Sequence, residues 1–122
     1  MKPQDAPLVT GYALACVVLH ILLAITGFQI DAIVRAGFVP ARFGHDLILP
    51  PGALVPFVLT PLSSAFLHGG VLHLVFNVII LLFVGRQLEA PLGAKAMAVL
   101  LVAGAYAGAL AQFLSDPASA VP

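Results

Sequence analysis

A chain of 122 residues with 61% hydrophobic and only 8% charged side chains cannot clothe a water-facing surface, because soluble domains carry about 25% charged residues. Mean hydropathy is +1.13, so the solvent for most of this chain is a bilayer. Net charge is zero and no run of Lys or Arg exists, which excludes nucleic acid as a partner, since phosphate binding needs clustered positive charge.

Residues 1–7 form a short tail, and the first predicted span covers about 8–28, from Leu8 to Phe28. Roughly 20 apolar residues suffice to cross a bilayer. The stretch exceeds a signal-peptide core of about 7–15 residues, and no small-x-small cleavage site follows, so it reads as a retained anchor. Cys16 is the single cysteine; it excludes an intrachain disulfide, has no lipobox before it, and is expected to pack. His20 is isolated in an apolar helix. An intramembrane ionisable group is often functional, but nothing in the sequence pairs with this one, so it is expected to be neutral and bonded to a neighbouring helix.

The connection from Gln29 to Thr60 has two parts. The first carries Asp31, Arg35, Arg42, His45 and Asp46 around a Gly37–Phe43 aromatic and basic segment, a mixture suited to lipid headgroups. The second, Leu47 to Leu62, is apolar but broken by Pro50, Pro51, Pro56 and Pro61. Proline interrupts a helix interior, and irregular backbone cannot face lipid tails with its polar groups unpaired. This loop is therefore expected to lie half-immersed at the bilayer edge, resting on protein.

The second span is predicted at about 70–88 and the third at about 94–114, where Gly104 and Gly108 form a Gly-x-x-x-Gly pair among alanines. Such a face allows close helix packing. Residues 115–122 are a loop at which the chain ends. The predicted fold is all-α: a polytopic bundle of three membrane helices with a long half-immersed loop between the first and second. Lys2, Arg86 and Lys95 would share one side, Arg35 and Arg42 the other. That bias favours a cytoplasmic N-terminus, with a bacterial inner membrane as the expected location.

His73 and Asn77 are four residues apart near the start of the second span, so they project from one helix face about 5–6 Å apart. Two convergent N–H donors in a water-poor site could stabilise a developing oxyanion, one donor being worth about 3–4 kcal/mol. The same pair could equally hydrogen-bond another helix, and spacing alone does not separate the two. A metal site is disfavoured. His68 and His73 would fall on different faces of a regular helix, and no Cys, Asp or Glu joins them. Neither a metal nor a cofactor is expected.

The run from Ser64 to Asn77, Ser-Ala-Phe-Leu-His-Gly-Gly-Val-Leu-His-Leu-Val-Phe-Asn, is followed by Gly85-x-x-x-Glu89 and Leu92-Gly93. Together they closely resemble the rhomboid family of intramembrane serine proteases, over roughly Ser63 to Leu114. The resemblance implies an incomplete six-helix fold, with 8–114 as a partial membrane domain. It implies that His73 and Asn77 help form the oxyanion hole and that His68 supports the site. Gly85 and Glu89 match a structural motif, and the small-residue third helix carries the packing pair Gly104 and Gly108. Membrane lipid and a transmembrane protein substrate are the implied partners.

The chain departs from the family pattern in two places. Val55-Pro56-Phe57-Val58 stands where many members have a Trp-Arg pair. The family's nucleophile lies in a Gly-x-Ser-Gly motif on the fourth span and its base histidine on the sixth; neither occurs here. Ser63, Ser64, Ser115 and Ser119 are not followed by Gly, and no histidine follows His73. The chain is therefore expected to be the N-terminal part of a rhomboid-type endopeptidase, inactive alone and completed by a C-terminal half. The alternative expectation is a truncated, inactive rhomboid-like protein that binds transmembrane clients.

Overall fold

The computed structural model describes residues 5–44, 49, 51–52 and 54–120, so Lys2, His45, Asp46, Leu47, Pro50 and Pro122 lie outside the described residues. Every regular element described is helical. Helix α1, Pro7–Thr26, opens with proline at its first position, where the missing N–H costs no helical bond. It ends at Thr26, two residues short of the predicted Phe28. Gly27 takes a left-handed conformation with φ 78° and returns its N–H to the Leu23 carbonyl, an ending that glycine adopts without strain.

The loop contains a helix that composition did not reveal: α2, Gln29–Ala36. Its charges follow the helix dipole, with Asp31 in the first turn and Arg35 in the last, joined at 2.9 Å. That pairing at four-residue spacing supports a short helix. A short 3-10 turn, Phe57–Leu59, then leads into α3, Thr60–Ser64.

The loop is fastened to protein at several points. Ser63 Oγ donates to the Ala36 carbonyl at 2.5 Å, and Tyr106 donates its hydroxyl to the Val58 carbonyl at 2.7 Å. The Ala41 N–H reaches the Ser119 carbonyl at 2.9 Å, and Phe43 meets Phe113 edge-on at 5.8 Å. Phe43, Val58 and Leu59 nevertheless stay exposed.

Helix α4, Val71–Leu92, and helix α5, Ala94–Ser115, complete the set. They are joined by Gly93 alone, at φ 90°, a turn that only glycine makes without penalty. α1, α4 and α5 are each long and apolar enough to cross a membrane. Most of their large apolar side chains face outward, Ile25, Leu72, Phe83 and Leu114 among them. Lipid tails are as apolar as leucine, so this exposure carries no penalty in a bilayer.

The buried core is correspondingly small: Ala6, Val9 and Met97, flanked by Leu8, Leu81, Leu82 and Leu101. It sits where the start of α1 meets the far end of α4. There the α4 backbone widens to a π-helical segment, Leu81–Gly85. A π turn rotates less per residue than an α turn and commonly serves a local need. In an unbroken α-helix, positions 77 and 85 would point about 80° apart; the π segment reduces that divergence. One helix thus carries Asn77, exposed on an open cleft, near one end and the buried Gly85 and Glu89 near the other.

Glu89 is 1% exposed. Its carboxylate accepts the N–H groups of Leu8 at 2.9 Å and Val9 at 2.7 Å. Those are first-turn donors of α1, which no helical carbonyl can reach. No side chain within α1 caps them. A carboxylate from α4 therefore supplies the cap, with the favourable sign for a helix N-terminus.

Candidate functional site

The site lies at the opposite end of α4. Gly70 is extended, with φ −157° and ψ 161°, and α4 begins at Val71. His68 therefore precedes the helix, as a span starting at about 70 requires. This corrects the expectation that His68 and His73 diverge on different helix faces. Their rings meet edge-to-face with centroids 5.3 Å apart. The turn through Gly69 and Gly70 folds His68 back towards the first turn of α4, which helical periodicity could not anticipate.

His68 is buried and His73 and Asn77 are exposed. Burial pushes the His68 imidazole below the ordinary histidine range; the His73 and His20 rings act in the same direction, and the Phe66 backbone opposes them. His68 is thus favoured as a neutral ring.

His68, His73 and Asn77 all line one open cleft of about 1200 Å³, bounded by Gly11 and Ala15 of α1 and by Gly104 of α5. His73 and Asn77 emerge on the same side of α4, as their spacing requires. Neither makes a side-chain hydrogen bond to a described residue. An added Cβ at Gly104 or Gly108 would meet nothing within 4 Å. Both glycines line a second cavity of about 210 Å³ beside Phe38, Pro61 and Ser64.

Tyr12 and Gln29 also meet the site, and sequence reading passed over both. Tyr12 donates its hydroxyl to the Ala65 carbonyl, and Gln29 Nε2 donates to the His68 carbonyl at 2.9 Å. The signal for Tyr12 was present: with Cys16 and His20 it forms a polar series at four-residue spacing on α1. Cys16 packs as expected, with Sγ 3.9 Å from the Ala65 carbonyl. His20 is buried near His68. Among the described residues, no three His, Cys, Asp or Glu side chains are grouped so as to hold a metal ion.

No curated protein and no solved structure gives a significant match to the chain. The family model for the Rhomboid domain matches residues 57–121, just over half of the sequence. That match takes in α3, the His68–Asn77 segment, α4 and α5. Three apolar helices of membrane-crossing length accompany it, and the chain is an integral membrane protein that belongs to the rhomboid family.

Proposed function

We propose that this chain is part of a rhomboid-type intramembrane serine endopeptidase, in which His73 and Asn77 are the oxyanion donors. One observation carries this reading. Both side chains open side by side into the cleft with no hydrogen-bond partner among the described residues, as donors awaiting a developing charge would. The serine and base histidine come from outside these residues, since the sequence contains no Gly-x-Ser-Gly.

In the proposed reaction the serine Oγ attacks the scissile carbonyl carbon and its proton passes to the histidine base. The carbonyl oxygen becomes an oxyanion that accepts from His73 N–H and the Asn77 amide. Collapse expels the amine, which takes the proton from the histidine. Water, activated by the same histidine, then hydrolyses the acyl-enzyme. The client bond would lie in or beside a transmembrane segment, in a bacterial inner membrane, with the N-terminus of this chain cytoplasmic. The loop, with Phe43, Val58 and Leu59 outward, would lie half-immersed in lipid nearby.

The coding sequence beyond Pro122 is the first test. An in-frame Gly-x-Ser-Gly followed by a membrane histidine supports the protease; a stop codon there would favour a client-binding relative. In the protein that carries the nucleophile, His73→Ala and Asn77→Ala should each lower kcat by about 10²–10³ with smaller effects on KM. Unchanged kcat in both would remove the oxyanion role. The 122-residue chain alone should not react with fluorophosphonate probes, and serine labelling would contradict the assignment of the nucleophile elsewhere.

A further inference from the structure

The segment between α3 and α4, residues 65–70, carries His68 but has little to hold it in place. Its first N–H groups turn back on α3: Ala65 to the Leu62 carbonyl, Phe66 to Ser63 and Leu67 to Ser64. Its far end is Gly69-Gly70, where an added Cβ at either residue would meet nothing within 4 Å. Two glycines without packing neighbours impose little restraint on backbone direction. What fixes His68 must act on the segment's carbonyls and rings.

Both ends of the tetrapeptide 65–68 are gripped by side chains from the first two helices. The Ala65 carbonyl accepts the Tyr12 hydroxyl and faces the Cys16 thiol at 3.9 Å. Ala65 is the residue that caps the C-terminus of α3, where carbonyls lack helical partners. The Tyr12 ring meets Phe66 edge-on at 5.0 Å and 77°. At the other end the His68 carbonyl accepts Gln29 Nε2 at 2.9 Å. Between these grips the His68 ring is buried and rests against His73.

We propose that Tyr12 and Gln29 are positioning residues for the His68–His73 pair, holding the segment that carries His68 so that its ring fixes the orientation of His73. Neither touches the atoms that would react; both act through His68. An edge-to-face contact restricts the rotation of each ring, and a donor loses effect when it is not already aimed. The catalytic consequence rests on the reading of His73 as an oxyanion donor. The positioning itself is a property of this chain and is measurable without activity.

The test uses the 122-residue chain with ¹⁵N,¹³C-labelled histidine in phosphatidylcholine nanodiscs, with signals assigned through single His→Gln variants. The wild type should show cross-ring contacts between His68 and His73. Tyr12→Phe keeps the ring on Phe66 and removes the hydroxyl; Gln29→Met keeps length and removes the donor. In each, circular dichroism should report unchanged helix, while the His68–His73 contacts weaken and both imidazole signals move. The double variant should lose the contacts altogether. A merely structural role would lower the unfolding temperature and leave the folded state's histidine signals in place. Should Tyr12→Phe fail to fold, Gln29→Met decides, since Gln29 lies at the start of α2 outside the membrane-length helices. Wild-type histidine signals in folded Gln29→Met would overturn the proposal. If the histidines respond but His73→Ala leaves the complete enzyme's kcat intact, positioning stands and the oxyanion reading falls.

Discussion

A methyl group placed on Gly85 would stand 3.0 Å from Cγ1 and 3.1 Å from Cγ2 of Val9. The same stretch of α1 donates the Val9 N–H to Glu89 at 2.7 Å, so the close approach and the cap are parts of one junction. Gly85→Ala should push α1 outward and destabilise the chain by about 1–3 kcal/mol, as overpacking does. Val9→Ala removes the clashing methyls, so the Gly85→Ala/Val9→Ala double variant should recover part of that loss. Unfolding in detergent measures all three variants. Additivity in the cycle would show that the contact does not govern the junction.

Glu89→Gln tests the cap itself. The amide retains one acceptor oxygen but sets an NH₂ group against the other helical N–H. Leaving a buried donor unsatisfied costs about 1–3 kcal/mol. Hydrogen exchange at Leu8 and Val9 should accelerate while exchange in the middle of α5 stays slow. Protected Leu8 and Val9 amides in this variant would mean that another acceptor replaces Glu89.

Acid should loosen the site end of the bundle through His68. Its folded pKa lies below the ordinary value, so below about pH 6.5 the unfolded chain binds the extra proton first. The stabilisation is complete above that value and is lost as pH falls from there towards the folded pKa. Thermal unfolding should occur at lower temperature near pH 5 than near pH 8, and His68→Gln should flatten the profile. An equally steep profile in His68→Gln would assign the dependence to other groups.

Tyr106 should hold the loop to α5. Tyr106→Phe removes the donor to the Val58 carbonyl and keeps the ring, a loss of about 1 kcal/mol. Limited proteolysis should then cut the 54–59 region faster, with the three long helices still intact. No change in cutting rate would mean that the Phe43–Phe113 contact suffices.

Much of this architecture was legible because a bilayer imposes it. A chain with 61% hydrophobic and 8% charged residues must satisfy its backbone internally where it meets lipid, and that forces three helices of membrane length. The His73–Asn77 face followed from helical periodicity, and the family resemblance from the residues between Ser64 and Gly93. Other features were not legible because they are non-local. α2 is too short and too mixed in charge to announce itself. The π segment Leu81–Gly85 has no compositional mark.

By itself, then, the sequence determined the solvent, the number of membrane-length helices and the shared face of the polar pair, since each depends on composition or on spacing within one element. Only the tertiary structure decided what those polar groups meet. It placed Glu89 over the start of α1. It also folded His68 back onto His73, and closed Tyr12 and Gln29 around the segment that carries His68. Each of these joins residues far apart in the chain, and the partner of a buried polar group is fixed by packing, not by its own neighbours in sequence.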